Sequence, residues 1–246
     1  MDRLIYTAVS GMSASLIRQR MIASNMANAQ TIGFRAEIME STPVTLEGDQ
    51  LEVRAMNRSE VKGALMREGA MMQTGRSLDI ALQGDVMLAV QTPDGSEGYT
   101  RRGDLSISAT GLLQNGDGLP VIGDNGPVTV PIGSDVSISP DGSVLAANPA
   151  APGDPPVQVA RIKLANYKGS KIEKDLANTF RVPGGGVLPA DENAKVMIGV
   201  LEQSNVSPTE VLVEMVEQQR LYDIRTKLIS TARDLDEGGA SLMRIS

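Results

Sequence analysis

The sequence predicts an α+β fold: long N- and C-terminal helices pairing as a coiled-coil-like bundle, with a central, mostly antiparallel β-domain. Two observations carry the prediction. Apolar residues recur at helical spacing at both ends of the 246-residue chain, and the stretch between is dense in Gly, Asn and Asp turn signals separated by short apolar runs.

The first element spans about Asp2 to Asn28. Ile5, Val9, Met12 and Leu16 are spaced by 4, 3 and 4, and Ala23 and Met26 resume the stripe after polar Gln19, a seam repeating every 3.5 residues. Thr7, Ser10, Gly11, Ser13 and Ser15 make it a weak helix by propensity, stable only against a partner. It is expected to break near Thr31-Ile32-Gly33. Residues 36–77 carry charges, Met and Gly in no sustained period and read as an extended connecting region.

The β signal begins at Leu78–Leu82 and Val86–Val90, which flank Gln83-Gly84-Asp85 as a hairpin would. Turn signals follow at Asp94-Gly95, Thr110-Gly111, Asn115-Gly116, Asp124-Asn125-Gly126 and Asp141-Gly142. Strands are predicted between them at Tyr99–Arg102, Leu105–Ser108, Leu112–Gln114, Leu119–Ile122, Val128–Val130, Val136–Ile138 and Val144–Ala147. Asn148–Pro156 holds four prolines and reads as a stiff loop, and Val157–Ala165 returns as strand.

The last element opens with Ser207 as N-cap, Pro208 at the first helical position and Glu210 completing a Ser-x-x-Glu capping box, with Val206 and Val211 set for a hydrophobic staple. The helix is predicted from Pro208 to about Leu235, ended by Gly238-Gly239. Leu212, Met215 and Val216 mark one stripe; Leu221, Ile224, Leu228, Thr231 and Leu235 continue it, slightly rotated. The division is therefore 1–35 N-terminal helix and turn, 36–77 connecting region, 78–186 β-domain, 187–206 return connection and 207–246 C-terminal helix. The apolar faces of the two ends are most easily buried against each other and against copies in neighbouring chains. The predicted subunit-interface residues are Ile5, Val9, Met12, Leu16, Met26, Leu212, Met215, Leu221, Ile224, Leu228 and Leu235.

Composition removes many chemistries. There is no His, Cys or Trp, so the ordinary zinc, copper, haem and iron–sulfur ligands are missing, and no Ser-His or Cys-His nucleophile can be built. A net charge of −7 and six aromatic residues argue against nucleic acid. No apolar run approaches the roughly 20 residues of a membrane span, and Arg3 is not followed by the apolar stretch of a cleavable signal. Gly184-Gly185-Gly186 lacks the Lys and Ser/Thr of a phosphate loop. Asp117, Asp124 and Asp141 fit hairpin turns better than a calcium loop. Asp85 with Asp104 could be a glycosidase carboxylate pair, but sugar-stacking aromatics are nearly absent around them. Arg101-Arg102 with Lys168, Lys171 and Lys174 reads as a solvated face. No catalytic, cofactor or metal residue is assigned.

Several segments carry a resemblance. Ser10-Gly11-Met12 and Ser24-Asn25-Met26-Ala27-Asn28-Ala29-Gln30-Thr31-Ile32-Gly33-Phe34-Arg35 resemble the N-terminal signature of bacterial flagellar rod and hook proteins, S-G-M followed by N-N-L-A-N-x-x-T-x-G-F/Y. Thr74–Asp85 is similar to that family's T-G-x-x-L-D-x-A-I-x-G-x segment, and Tyr99–Leu105 to its Y-T-R-x-G-x-F segment. Gly199–Val206 is similar to its G-x-L-E-x-S-N-V segment, and Arg220-Leu221-Tyr222 to its R-x-Y. Departures are Asn25-Met26 for paired asparagines, Val86-Met87-Leu88 for an aromatic pair, and Leu105 for Phe. Met1–Ala8 and Gly33–Ala36 look most like the proximal rod branch, with distal rod or hook-type subunits as the alternative.

The resemblance implies a structural, non-enzymatic component of the flagellar basal-body rod. It implies polymerisation through the terminal helices into the axial shaft that crosses the periplasm and transmits torque for motility. The implied partners are other rod proteins, copies of the chain itself and the flagellar type III export apparatus, which would take it from the cytoplasm without a cleaved signal. No cofactor, small-molecule substrate, nucleic acid or membrane span is implied. A peptidoglycan hydrolase using Asp85 and Asp104 and a secreted adhesin are the competing readings.

Overall fold

The computed structural model describes residues 2–45, 55–149, 151, 154–175 and 177–243. Parts of the predicted connecting region (46–54) and of the proline-rich loop (150, 152 and 153) lie outside the described residues. The elements run α1 Asp2–Ala27, β1 Glu37–Thr45, β2 Ala55–Ala64, β3 Met71–Gln73, β4 Ile80–Leu82, β5 Val86–Gln91, β6 Glu97–Thr100, β7 Ser106–Ile107, β8 Leu113–Gln114, β9 Ile122–Gly123 and β10 Gly126–Pro127. They continue as β11 Asp135–Ile138, β12 Ser143–Ala147, β13 Val157–Arg161, β14 Leu164–Asn166, β15 Glu173–Lys174, β16 Phe180–Arg181, β17 Val196–Ile198, β18 Val200–Glu202 and α2 Pro208–Met243.

The chain forms two compact units. Unit 1 is Met1–Ala27, Glu37–Gly63 and Val206–Ser246; unit 2 is Asn28–Ala36 and Ala64–Asn205.

In unit 1, α1 and the paired strands β1 and β2 accompany α2. The start of β1 is tied to α1 by Asn25, which is buried. Its side-chain oxygen accepts from the Glu37 backbone N–H at 2.8 Å and its amide donates to the Glu37 carbonyl at 3.0 Å, so one side chain stands in for a neighbouring strand. The helices touch through polar groups. Arg225 Nη1 donates to the Gly11 carbonyl at 2.7 Å and to the Ser15 hydroxyl, and Arg18 Nε lies 3.9 Å from the Glu214 carboxylate. The order of these contacts makes the helices antiparallel.

The α+β class stands, but the coiled-coil-like bundle does not form. Among the described residues there are only two helices, and their apolar seams do not mate. The buried and half-buried stripe of α2 is Val211, Glu214, Gln218, Tyr222, Arg225 and Ile229, mostly polar. It meets small residues, Gly11 and Ser15, on α1. A helix has one stripe to give a single partner. Here hydrogen bonding takes the mostly polar one, and Leu212, Met215, Leu221, Ile224 and Leu228 are left outside it. The helix also runs through Gly238-Gly239 to Met243, past the predicted stop; glycine lowers helix stability without forbidding it.

In unit 2 every pairing among the described residues is antiparallel. A five-stranded sheet in the order β14-β5-β6-β16-β15 lies at its centre, with a three-stranded sheet β11-β12-β13 and the pairs β4-β17, β3-β18, β7-β8 and β9-β10. Strand β5 is buried on both faces, which is why it reads as a continuous apolar run. Val86, Leu88 and Val90 join one core with Ile80, Leu105, Leu113 and Val144, while Met87 and Ala89 join another with Tyr99, Phe180 and Leu188. The predicted hairpin of Leu78–Leu82 with Val86–Val90 is not made: β4 pairs with β17, and β5 with β6 and β14. Arg101 takes the turn's carbonyls instead, donating to Leu82, Gly84 and Val86 at 2.8, 2.7 and 2.7 Å.

Candidate subunit interface

Helix α2 starts as its sequence dictates. The Glu210 N–H reaches the Ser207 hydroxyl at 3.5 Å, the Val211 N–H donates to the Ser207 carbonyl at 3.1 Å, and Val206 and Val211 are both buried as a staple. Its 36 residues extend about 54 Å at 1.5 Å each. Along that length the predicted residues Leu212, Met215, Leu221, Ile224 and Leu228 are exposed, from 38% at Met215 to 61% at Leu228. On α1, Val9 and Leu16 are exposed, whereas Met12 and Met26 are half-buried. The side chains of Ile5 and Leu235 lie outside the described residues.

Sequence reasoning missed Val213, which is 60% exposed. The signal was available: Val211-Leu212-Val213 is a consecutive apolar run on a helix, so its members cannot all share one face. Scattered surface hydrophobics need no explanation. On α2 the exposed ones, Leu212, Val213, Met215, Val216, Leu221, Ile224 and Leu228, are spread around the helix outside its mostly polar buried stripe.

Most of the segments that resemble the rod and hook signatures have another place. In unit 2 residues of four of them, Gly33 and Arg35, Leu82 and Gly84, Arg101, and Glu202 and Asn205, meet at a buried ionic node, while Ser10-Gly11-Met12 and Arg220-Leu221-Tyr222 lie on the helices of unit 1. Glu202, fully buried, lies 2.5 Å from Arg35 Nη1 and 2.8 Å from Arg101 Nη2, and Arg101 Nε donates to it at 2.8 Å; both arginines are about 1% exposed. Glu68, half-exposed, stands 3.7 Å from Arg101. The backbone is knitted around the node: the Gly33 N–H donates to the Glu202 carbonyl at 2.7 Å, and the Ala36 N–H to the Asn205 side chain at 2.7 Å. Gly33 has a φ of 67°, and a Cβ there would collide with the Arg101 carbonyl. Lys174 sits 3.4 Å from the Phe34 ring centroid and donates to the Arg35 carbonyl.

The remaining candidates are tied down locally. Asp85 accepts from the Tyr167 hydroxyl at 3.0 Å, and burial with that bond pushes the phenol up to about 12. Asp104 and Asp117 both bind Arg102, at 2.8 and 2.6 Å. Asp141 serves the Ser143 hydroxyl and N–H, which hold its carboxyl below the usual range. Gly184 and Gly185 have positive φ in a turn closed by Gly185 N–H on the Val182 carbonyl. Arg101 and Arg102 are not a joint basic face: the first is buried in the node, the second is paired with carboxylates.

Three family models match the chain in order. Residues 5–35 match "Flagella basal body rod protein", residues 81–146 match "Flagellar hook protein FlgE/F/G D1 domain", and residues 197–242 match "Flagellar basal body rod FlgEFG protein C-terminal". The flagellar basal-body rod protein FlgF of Salmonella typhimurium is 40% identical over 98% of both chains, and that of Escherichia coli K12 is 42% identical over 95% of both. The rod protein FlgG of Bacillus subtilis is 29% identical over 99% of this chain and 100% of its own.

The chain belongs to the flagellar basal-body rod protein family.

It is a structural component of the basal-body rod. Of the three relatives, the two FlgF proteins are the more similar, in line with the proximal-rod character of the opening residues. The first family match takes in α1 and the turn that carries Gly33 and Arg35. The last takes in β17, β18 and α2. The family regions thus hold both the exposed helix surfaces of unit 1 and the Arg35 and Glu202 partners of the node.

Proposed function

We propose that this rod protein polymerises through the outward apolar faces of its terminal helices. The surface is Val9 and Leu16 on α1, and Leu212, Val213, Met215, Val216, Leu221, Ile224 and Leu228 on α2, with Ile5, Met12, Met26 and Leu235 completing it. Its partners are copies of the chain and other rod proteins. The product is the periplasmic drive shaft that carries torque outward. The subunits reach it through the flagellar type III export apparatus without a cleaved signal, and their role is mechanical, not enzymatic. The terminal segments 1–35 and 207–246 supply assembly, and the β-domain of 78–186 supplies the body of the subunit, with 36–77 and 187–206 as connections.

One observation supports this reading above the others. Helix α2 buries a mostly polar stripe within its own chain and leaves Leu212, Val213, Met215, Val216, Leu221, Ile224 and Leu228 exposed, unlike a helix that is finished when its monomer folds. A subunit of an open helical polymer needs such a surface, because each copy binds the next through a contact that does not close on itself. At about 25 cal/mol per Å2 of apolar area, covering it on assembly is a strong drive.

The test is Leu228→Asp in a strain whose only copy carries the change. Loss of motility, with the purified variant retaining its circular dichroism, is the expected result. Normal motility would remove the proposal.

A further inference from the structure

We propose that Glu202 is a late-closing latch for unit 2, joining the two points from which the chain leaves that unit for its terminal helices. Among the described residues four strand pairs of unit 2 are long-range, β5 with β14, β6 with β16, β4 with β17 and β3 with β18, and the other six, β5 with β6, β7 with β8, β9 with β10, β11 with β12, β12 with β13 and β15 with β16, are local. The local contacts form early because little chain entropy is lost in closing them. Glu202 belongs to the long-range set. It sits on β18, which pairs with β3 across most of the unit's length, and its carboxylate serves Arg101, 101 positions earlier, and Arg35, at the unit's other end.

Burying the two guanidinium groups before that carboxylate arrives would strip them of water without supplying this anion. Among the described residues, neither Arg35 Nε nor Nη1 makes a hydrogen bond, so the charge is compensated through the close approach of the Glu202 carboxylate. Arg35 therefore keeps its segment hydrated until β18 docks. The Gly33 N–H, Phe34 and Asn205 are then fixed in the same event, through the Glu202 carbonyl, the burial of the ring and the Ala36 N–H. Chain connectivity makes the consequence functional. The segment fixed by Gly33 and Arg35 leads to α1, and the segment fixed by Glu202 and Asn205 leads to α2. A subunit presents both helix roots only after nearly all of its chain is available. This consequence rests on the reading that those helices are the assembly surface; the latch itself does not.

Pulse-labelling hydrogen exchange during refolding of the full chain tests it. The amides of Leu113 and Val121, bonded locally to the Val128 and Leu113 carbonyls, are expected to gain protection at least about tenfold sooner than those of Gly33 and Gln203, bonded to the Glu202 and Ala70 carbonyls. In native Glu202→Gln, exchange at Gly33 and Gln203 is expected to rise about tenfold or more, with Leu113 and Val121 within about twofold of wild type. Arg35→Gln, which leaves Glu202 its Arg101 partner, gives the same selective rise at Gly33 should Glu202→Gln fail to refold. Protection of all four amides in one phase, or a rise that is uniform or absent in both variants, overturns the latch. Failure of the helix-docking reading leaves these rates as they are, since they score folding and not assembly.

Discussion

Arg101 Nε donates to Glu202 Oε2 at 2.8 Å, although the two residues are 101 positions apart and neither has appreciable access to solvent. Removing one partner of such a pair strands the other charge in the interior. Glu202→Gln is expected to lower the unfolding free energy of unit 2 by about 3–5 kcal/mol. Arg102→Gln, which breaks a more exposed set of ion pairs with Asp104 and Asp117, is expected to lose no more than about 1 kcal/mol. Urea titrations of both variants read the difference, and equal losses would contradict it.

Gly33 offers a second test of the same region. Its backbone has φ of 67° and lies against the Arg101–Arg102 peptide, so an added methyl group meets both a strained conformation and backbone that cannot move aside. Gly33→Ala is expected to lose at least about 2 kcal/mol by the same titration. Gly84→Ala also has a positive φ but meets nothing within 4 Å, and is expected to lose less.

Alkaline pH should weaken unit 2 through its tyrosines. Burial and donation to Asp85 push the Tyr167 phenol from the ordinary 10.0 up to about 12, and burial drives Tyr99 up as well. A folded-state pKa above the unfolded one means that the folded chain holds a proton the unfolded chain gives up. The associated stability is intact below about pH 10 and is lost as pH rises through about 12. Circular dichroism against pH, with phenolate absorbance recorded in parallel, is expected to show delayed ionisation accompanied by loss of structure. Tyr167→Phe should move that loss to higher pH. Ionisation of every tyrosine near pH 10 with the fold intact would contradict the account.

Leu228→Asp and Ile138→Asp separate surface from core. Leu228 is 61% exposed on α2, whereas Ile138 is buried in the β-core. The first is expected to change stability by no more than about 0.5 kcal/mol while abolishing rod assembly. The second is expected to unfold unit 2 outright, because it buries an unpaired charge. Comparable unfolding by both, measured on purified protein, would mean that Leu228 belongs to the monomer's own fold.

Much of the fold was legible. The capping box at Ser207–Glu210 set the start of α2, and the glycines of Asp94-Gly95, Thr110-Gly111, Asp124-Asn125-Gly126 and Asp141-Gly142 all take positive φ at turns. These are local properties, written within a few residues. What failed was long-range. The partners of β4 and β5 could not be read because Arg101, not a neighbouring strand, satisfies the turn between them. The pairing of the helices was misread because apolar spacing gives the greasy stripe of a helix but not what that stripe meets. Gly11, Ser15, Gln218 and Arg225 looked like poor seam residues, yet the stripes they occupy are the ones brought together. The resemblance located the residues of the node, but not that they converge on Glu202.

The most direct measurement is a density map of the intact basal body in which this chain is traced among its neighbours. The account predicts Leu212, Ile224 and Leu228 covered by adjacent subunits, with Glu202 still enclosed by Arg35 and Arg101 of its own chain. Those three side chains facing open solvent in the assembled rod would contradict it.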